Sequence, residues 1–595
     1  MAKKRIRWFD WAILIILAVA SHLVFQQGDI IHTGGASFGY LDGHIRDFYS
    51  YTDQTVGGCA YMPTTYVLFA IWNLPLKLLG LKTVSSMDHT YFVKLWYTGL
   101  PILCYVGIAV IMFKLALEMG FGEKKSRVAA YAFAASPIAF FSQFIFGQYD
   151  SITLFFVMLG TLFFFRDRTF GFVASFAVAV TCKYYALLIF LPMLLLKEKK
   201  VWRIIAQGAG FMSLFILEFV FYLQDRSMAG HITGFNATTY IFNVVLDTGE
   251  VFPKISLVML LWVSICAWAF FTNPKDRVEQ WKWFLYFEGF VMFCVFGLSM
   301  WHPQWVMLAI PFMVFGTMMH ERNDIFWLLD LILMLCYTWF TVGAWPNHLD
   351  HCLMRGGLLN DMIGNRYFSA VTIRDFPPYS IGHMTMPFSC ISALFLVNAL
   401  FKHPKFMIAS PETDTNPQVG LLRLRFLGGI AMFIVPCMIC FYTMMKAPYA
   451  YENRIMDAYD PAWVTTLQEG QESYIAEQYF SPKTDTLERI DIKFDCENGV
   501  GQGHVHLALT DVTDGKLLYE TDIARNTIKT TKATHVTFTP IALHREHVYK
   551  VTLSCNPADG GYLGLYYMPD AKAGSEMTMN GEPQDKVAAI EFFGR

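Results

Sequence analysis

Charged side chains are scarce in this 595-residue sequence, at 16% of the chain, where an ordinary globular domain carries about a quarter. Beside 55% hydrophobic residues, that deficit excludes a soluble enzyme and reads as a polytopic membrane protein. No sign of charge dominates, since the formal net charge is -2, so no basic field argues for nucleic acid as a partner. The twelve cysteines are scattered, with no CxxC and no His/Cys ligand spacing, which argues against structural zinc. "MAKKRIRWFDWAILIILAVASHLVFQQ" lacks a small-residue cleavage site and is read as a retained first span with a cytoplasmic basic head. No internal repeat relates the two halves of the chain.

Long apolar runs are abundant instead. Thirteen candidate spans fall at roughly 9-26, 92-115, 127-146, 150-165, 170-182, 184-196, 201-222, 255-272, 283-299, 304-319, 325-343, 384-401 and 426-446. An odd number puts the termini on opposite sides of the bilayer. The inner loops then hold seventeen lysines and arginines, against six on the outer side after residue 91, as the positive-inside rule requires. The stretch 61-80, interrupted by Pro63 and Pro75, is read as an outer juxtamembrane or re-entrant helix, because a further span would invert that count. "GQYD", "TCKYY" and "WHPQW" then become polar turns facing outward between half-length helices, an arrangement tolerated only around a protein-enclosed cavity.

Composition changes after the last span. Residues 1-450 form the membrane domain, with 27-91 as its first outer loop, and 453-595 form a polar extracytoplasmic domain. There "ERIDIKFDC", "GHVHLALTDV", "KATHVTFTP", "HVYKVTLSC" and "GYLGLYYM" alternate with period two between turn residues, as strands of a sandwich or jelly roll do. Cys496 and Cys555 each end such a strand, either as a disulfide or as two buried thiols. Tyr562, Tyr566 and Tyr567 are read as exposed aromatics able to hold a glycan.

Ionisable groups near membrane depth are expensive, and here they gather on the outer face. They are the first-loop carboxylates Asp42, Asp47 and Asp53, then Asp150, Lys183, His302 and the arginines of 344-383. Asp47 and Asp42 are open to two readings, as a general base or as caps of a juxtamembrane helix. Asp150 with Gln148 and Tyr149 either positions substrate or starts a helix. Lys183 lies between two apolar halves with no short route to the cytoplasm, which favours phosphate binding over snorkelling. His302, between Trp301 and Trp305, binds phosphate or sugar or else sits in an aromatic belt.

In order and spacing, "RDFYSY", "YMPTTYVLFAIW", "FGQYDSITLFFVMLG", "CKYYALLIFLPMLLLKEKK" and "WHPQWVMLAIPF" resemble the GT-C superfamily of membrane glycosyltransferases. Within it the chain looks most like the bacterial family 87, mannosyltransferase-like enzymes that use polyprenyl-phosphate sugars. The resemblance covers roughly 8-320. It implies transfer of a sugar on the outer face from a polyprenyl monophosphate with a first-loop aspartate as base, and Asp47 is the aspartate that matches. Asp42, five residues away, is the reserve; a single base with direct displacement inverts the anomeric centre, and the acceptor is read as a cell-envelope glycan or glycolipid. Arg46, His44, Gln148, Tyr149, Asp150, Lys183, Tyr184, His302, Gln304 and Arg355 then fall around the phosphate and sugar. No metal or other cofactor is expected, since a monophosphate needs less neutralisation than a nucleotide sugar. The rival class is a transporter or flippase of lipid-linked sugars.

Overall fold

The computed structural model describes residues 6–25, 28–80, 91–225, 227–228, 240, 242–247, 249, 254–344, 358, 384–411, 418–446, 449–450, 462–496, 503–530, 533–568 and 576–595. The chain divides into a mainly helical unit, Met1–Leu359 with Thr372–Ile439, and a second unit built on Cys440–Arg595.

Each of the thirteen apolar runs is helical over most of its described length. The first twelve helices are α1 (Trp8–Val24), α2 (Gly28–Ala36), α3 (Phe38–Leu41), α4 (Phe48–Thr55), α5 (Pro63–Leu78), α6 (Tyr91–Glu118), α7 (Glu123–Ala134), α8 (Pro137–Phe140), α9 (Asp150–Phe165), α10 (Thr169–Cys182), α11 (Ala186–Lys197) and α12 (Val201–Phe221). Helices Leu257–Phe271, Arg277–Met292, Ile310–Met318, Asn323–Ala344, Thr385–Phe401 and Val419–Lys446 follow. Among the described residues four helices are long and apolar enough to cross a membrane: Phe92–Glu118, Val201–Phe221, Asn323–Ala344 and Val419–Ile439. The chain is a multi-pass membrane protein. Other apolar helices, such as α9, α10 and α11, have 16, 14 and 12 residues. At about 1.5 Å per residue they fall short of a hydrocarbon core about 30 Å thick, and the ends that carry Asp150 and Lys183 are buried within the unit while the Arg166–Thr169 turn is exposed. The stretch read as a juxtamembrane helix is α5, with Pro63 at its first position, where a missing N–H costs nothing.

Two departures from α geometry place the polar turns. A π-helical turn, Phe141–Ile145, precedes Gly147, whose φ of 70° suits glycine, and leads into Gln148. A second π turn, Phe293–Gly297, precedes "WHPQW", whose 303–309 segment is a 3-10 helix. Wide turns of this kind re-aim the chain and cluster at functional sites.

The second unit is all β. One sheet runs Lys516–Ala524, His504–Asp511, Tyr549–Cys555, Ala476–Phe480, Met577–Met579, Glu582–Gln584; another runs Thr534–Ala542, Thr486–Ile492, Ile590–Gly594, Tyr449–Ala450. A third centres on Tyr562–Met568 paired antiparallel with Val464–Glu469. The five alternating sequence stretches are all strands. Their inward positions, Leu507, Leu509, Val551 and Leu553 among them, are fully buried in one core. Of the two readings of Cys496 and Cys555, the free thiols hold, with Cys555 buried and Cys496 half-buried. One expectation changes. The three tyrosines form no exposed platform: Tyr566 is only 7% exposed, the Tyr562 hydroxyl donates to Asp495 at 3.0 Å, and Lys586 covers the Tyr567 ring.

Candidate functional site

Antiparallel packing of α9 against α10 sets the first contact. It brings the start of α9, where Asp150 is the first residue, beside the end of α10, where Lys183 is the capping residue in extended conformation. A carboxylate at a helix N-terminus and a cation at a C-terminus both sit in favourable fields. Their side chains meet: Lys183 Nζ lies 2.9 Å from Asp150 Oδ1, with both side chains at 5% exposure or less. The Tyr185 hydroxyl donates to the same Asp150 oxygen at 2.9 Å. The lysine is enclosed by rings, with Nζ 5.0 Å from the Tyr149 centroid, 5.1 Å from Tyr61 and 5.7 Å from Trp305.

Gln148 extends the cluster. Its Nε2 donates at 3.1 Å to Asp29, an exposed residue of α2 whose charge also acts on Lys183. His302 lies 5.0 Å, ring to ring, from Trp305 and stacks on Tyr240 at 6.5 Å. Gln304 is buried beside them. Several polar atoms here have no hydrogen-bond partner among the described residues: Asp150 Oδ2, Lys183 Nζ outside its ion pair, Tyr184 OH, Gln304 Oε1 and Trp305 Nε1. Buried polar atoms are normally satisfied, so these atoms are open to a further polar partner. Chemically the cluster offers a cation to an anion, acceptors to hydroxyls and aromatic faces to a sugar.

The sequence-expected residues thus separate into groups. Gln148, Tyr149, Asp150 and Lys183 come together, and His302 joins them through Trp305, with Gln304 buried next to that tryptophan in sequence. Tyr184 borders them, with its ring edge-on to Phe215 of α12 at 5.9 Å. Asp42 and Asp47 make their side-chain contacts elsewhere. Asp42 is ion-paired through Oδ1 to Lys77 of α5, and its buried Oδ2 has no hydrogen-bond partner among the described residues. Asp47 is exposed and hydrogen-bonded to His44 Nδ1 at 2.9 Å; that bond holds its carboxyl below the ordinary range. His44 in turn stacks on Tyr51 at 3.7 Å, and Arg46 is exposed. Asp47 occupies the N-cap position of α4 yet makes no capping bond. Arg355, Arg366 and Arg374 lie outside the described residues.

Four participants escaped the sequence reading, Asp29, Tyr61, Tyr185 and Trp305, of which Tyr61 lies in the "YMPTTYVLFAIW" stretch. Asp29 sits in "QQGDIIHTGG", among residues that look like the tail of the first span; the available signal was an acid opening a helix right after that span. Tyr185 and Trp305 lie inside recognised motifs, but their contacts depend on packing between distant helices.

A multi-pass membrane protein with an ion-paired lysine in an aromatic enclosure is the class that fold and site define. No protein-family model and no curated protein matches the chain. Among solved structures it is similar to ArnT from Cupriavidus metallidurans. The apo form shares 13% identity over 66% of this chain and 76% of that one, with a TM-score of 0.31. ArnT bound to undecaprenyl phosphate shares 15% identity over 73% of this chain and 76% of that one, with a TM-score of 0.32.

Proposed function

We propose that the protein is a GT-C type glycosyltransferase that moves a sugar from a polyprenyl monophosphate to a cell-envelope glycan or glycolipid on the outer face of the membrane. The observation that carries this reading is the buried Lys183–Asp150 pair, enclosed by Tyr61, Tyr149 and Trp305. A lysine kept charged in a dry, aromatic setting suits a departing phosphate, since its three donors can serve Asp150 and phosphate oxygens together. The rings offer apolar faces for a sugar.

In this reading Asp29 takes the proton from the acceptor hydroxyl. It is exposed, is positioned by Gln148, and lies within electrostatic reach of the lysine. Proton abstraction by one carboxylate with direct displacement of the phosphate inverts the anomeric centre. His302 and Gln304 complete the sugar side. Asp47, the base expected from the sequence, keeps the His44–Tyr51 stack at the loop tip. The test is transfer by purified protein with Asp29→Asn and Asp47→Asn in parallel. Asp29→Asn is expected to lower kcat by about 10²–10⁴-fold with Asp47→Asn near wild type. The reverse pattern returns the base to Asp47.

A further inference from the structure

The helical unit carries a cavity of about 360 Å³ at the end of α9 opposite Asp150, about 22 Å away along that helix. That volume falls within the range of about 300–1,000 Å³ typical of small-molecule sites. Four segments meet there: the end of α9 with Asp167, the end of α11 with Lys197 and Lys199, the turn at Asn273 and Pro274, and the start of helix Arg277–Met292 with Gln280. Charge asymmetry in the sequence assigns these turns to the inner face. Stretches 166–168, 197–203 and 275–282 together hold nine lysines and arginines against four carboxylates.

Some of these charges build the walls. Lys199 Nζ donates to the carbonyls of Leu195, Ala269, Phe270 and Thr272 at 2.7–3.0 Å, which seats an ammonium on the C-terminal end of helix Leu257–Phe271 and ties that helix to α11. Asp276 caps the next helix by accepting the Glu279 amide at 2.8 Å. Glu118 of α6 accepts from Arg166 Nε at 2.7 Å and from Arg277 Nη2 at 3.1 Å.

Other donors stay open. Lys197 Nζ pairs with Asp167 at 2.5 Å and donates to the Phe164 carbonyl at 2.6 Å, which leaves its third proton. Arg277 commits Nη2 alone, to Glu118 and the Phe165 carbonyl, so its Nε and Nη1 have no partner among the described residues. Apolar rings flank the cavity in sequence. Phe271, two residues before Asn273, is 76% exposed, and Trp202, three residues after Lys199, is 65% exposed with Arg203 over its ring, as in an interfacial aromatic belt.

We infer that this cavity binds the phosphate diester of an anionic phospholipid, at the membrane face opposite the Lys183 cluster. Lys197 and Arg277 meet the phosphate oxygens, Gln280 donates to the headgroup, and Phe271 and Trp202 lie beside the acyl chains. Basic pockets between helices on the cytoplasmic side favour lipid phosphates, because fixed cations there face an anionic leaflet. Asp167 and Asp276 in the lining repel a small dianion more than a diester of one negative charge. A free phosphate would also gain nothing from exposed rings at the edge.

The test is photolabelling of the full chain in detergent by a photoreactive phosphatidylglycerol, with phosphatidylglycerol, phosphatidylcholine or inorganic phosphate as competitor. Wild type is expected to be labelled near 196–200 and 270–280. Phosphatidylglycerol should compete about tenfold better than phosphatidylcholine, as one charge-assisted hydrogen bond allows, and inorganic phosphate should not compete. Lys197→Gln and Arg277→Gln are each expected to weaken binding about tenfold. Lys200→Gln, which removes an exposed charge of the same turn outside the lining, is expected to leave it unchanged. Gln280→Leu breaks no ion pair, weakens binding about fivefold through one lost neutral hydrogen bond, and carries the test where a charge variant fails to fold. An equal loss in Lys200→Gln, meaning diffuse surface charge, overturns the site, and so does unchanged labelling in Gln280→Leu and the two charge variants. Competition by inorganic phosphate, or equal competition by phosphatidylcholine, overturns the anionic lipid as occupant. None of these results touches transfer at the Lys183 cluster.

Discussion

Asp225, beyond the end of α12, caps the helix whose own capping position belongs to Asp47. It accepts the Tyr49 amide at 2.8 Å, the Ser50 amide at 3.1 Å and the Ser50 hydroxyl at 2.5 Å. The orphan N–H groups at the start of α4 are thereby satisfied from a distant element, and Asp47 is released to His44. Asp225→Ala is expected to cost about 1–2 kcal/mol of stability, the upper range for a lost cap. Hydrogen exchange checks this through lost protection across 48–55. Asp47→Ala is expected to leave that protection intact.

Removing one member of the Lys183–Asp150 pair strands a buried charge. Lys183→Met alone is expected to destabilise the helical unit by about 3–5 kcal/mol, while Lys183→Met with Asp150→Leu restores most of that loss. Thermal melting in detergent, single against double variant, measures the recovery.

The ring enclosure has its own expected effect. Trp305→Leu removes one face and is expected to weaken phosphate binding by about 0.5–2 kcal/mol through the lost cation–π contact. It should raise KM for the donor more than it lowers kcat.

In the second unit, His547 Nδ1 lies 2.8 Å from Asp511. That hydrogen bond raises the imidazole above its usual value near 6.5, because it favours the protonated form. A raised folded value means the stabilisation is complete below the unfolded value and is lost as pH climbs through the folded one. The Asp511 carboxyl, which partial burial pushes up, is held below its usual range by the same partner, so acid erodes the contact from the other side. Corrected hydrogen exchange at the Val512 amide, bonded to the Val548 carbonyl at 2.8 Å, should quicken above neutral pH in wild type and lose that dependence in Asp511→Asn.

Much of this architecture was legible in the residues. Apolar length located the long helical runs, though not the short helices α2, α3 and α4, and period-two alternation located five stretches of strand, because both depend on local patterning that burial enforces. The motifs around Gln148, Lys183 and His302 were legible for a related reason, since polar residues between half-length helices are costly without a cavity. Asp29, Tyr185 and Asp225 were not. Asp29 acquires its meaning when α2 comes to lie near Gln148, and Asp225 when α12 returns its end to α4; no local pattern encodes either meeting. The partner of Asp42, Lys77, lies thirty-five residues away on α5 and was equally hidden from local pattern.

The central claim is that the Lys183 cluster transfers a sugar from a lipid monophosphate. It is tested most directly by release of polyprenyl phosphate from a panel of polyprenyl-phosphate sugars, with an envelope-glycan acceptor and purified protein. The comparison is wild type against the folded Lys183→Met, Asp150→Leu double variant. The account predicts acceptor-dependent release by wild type with at least one donor, unaffected by chelator, and a loss of at least about a hundredfold in the double variant. Equal rates in the two proteins, or no release by wild type from any donor, would contradict it.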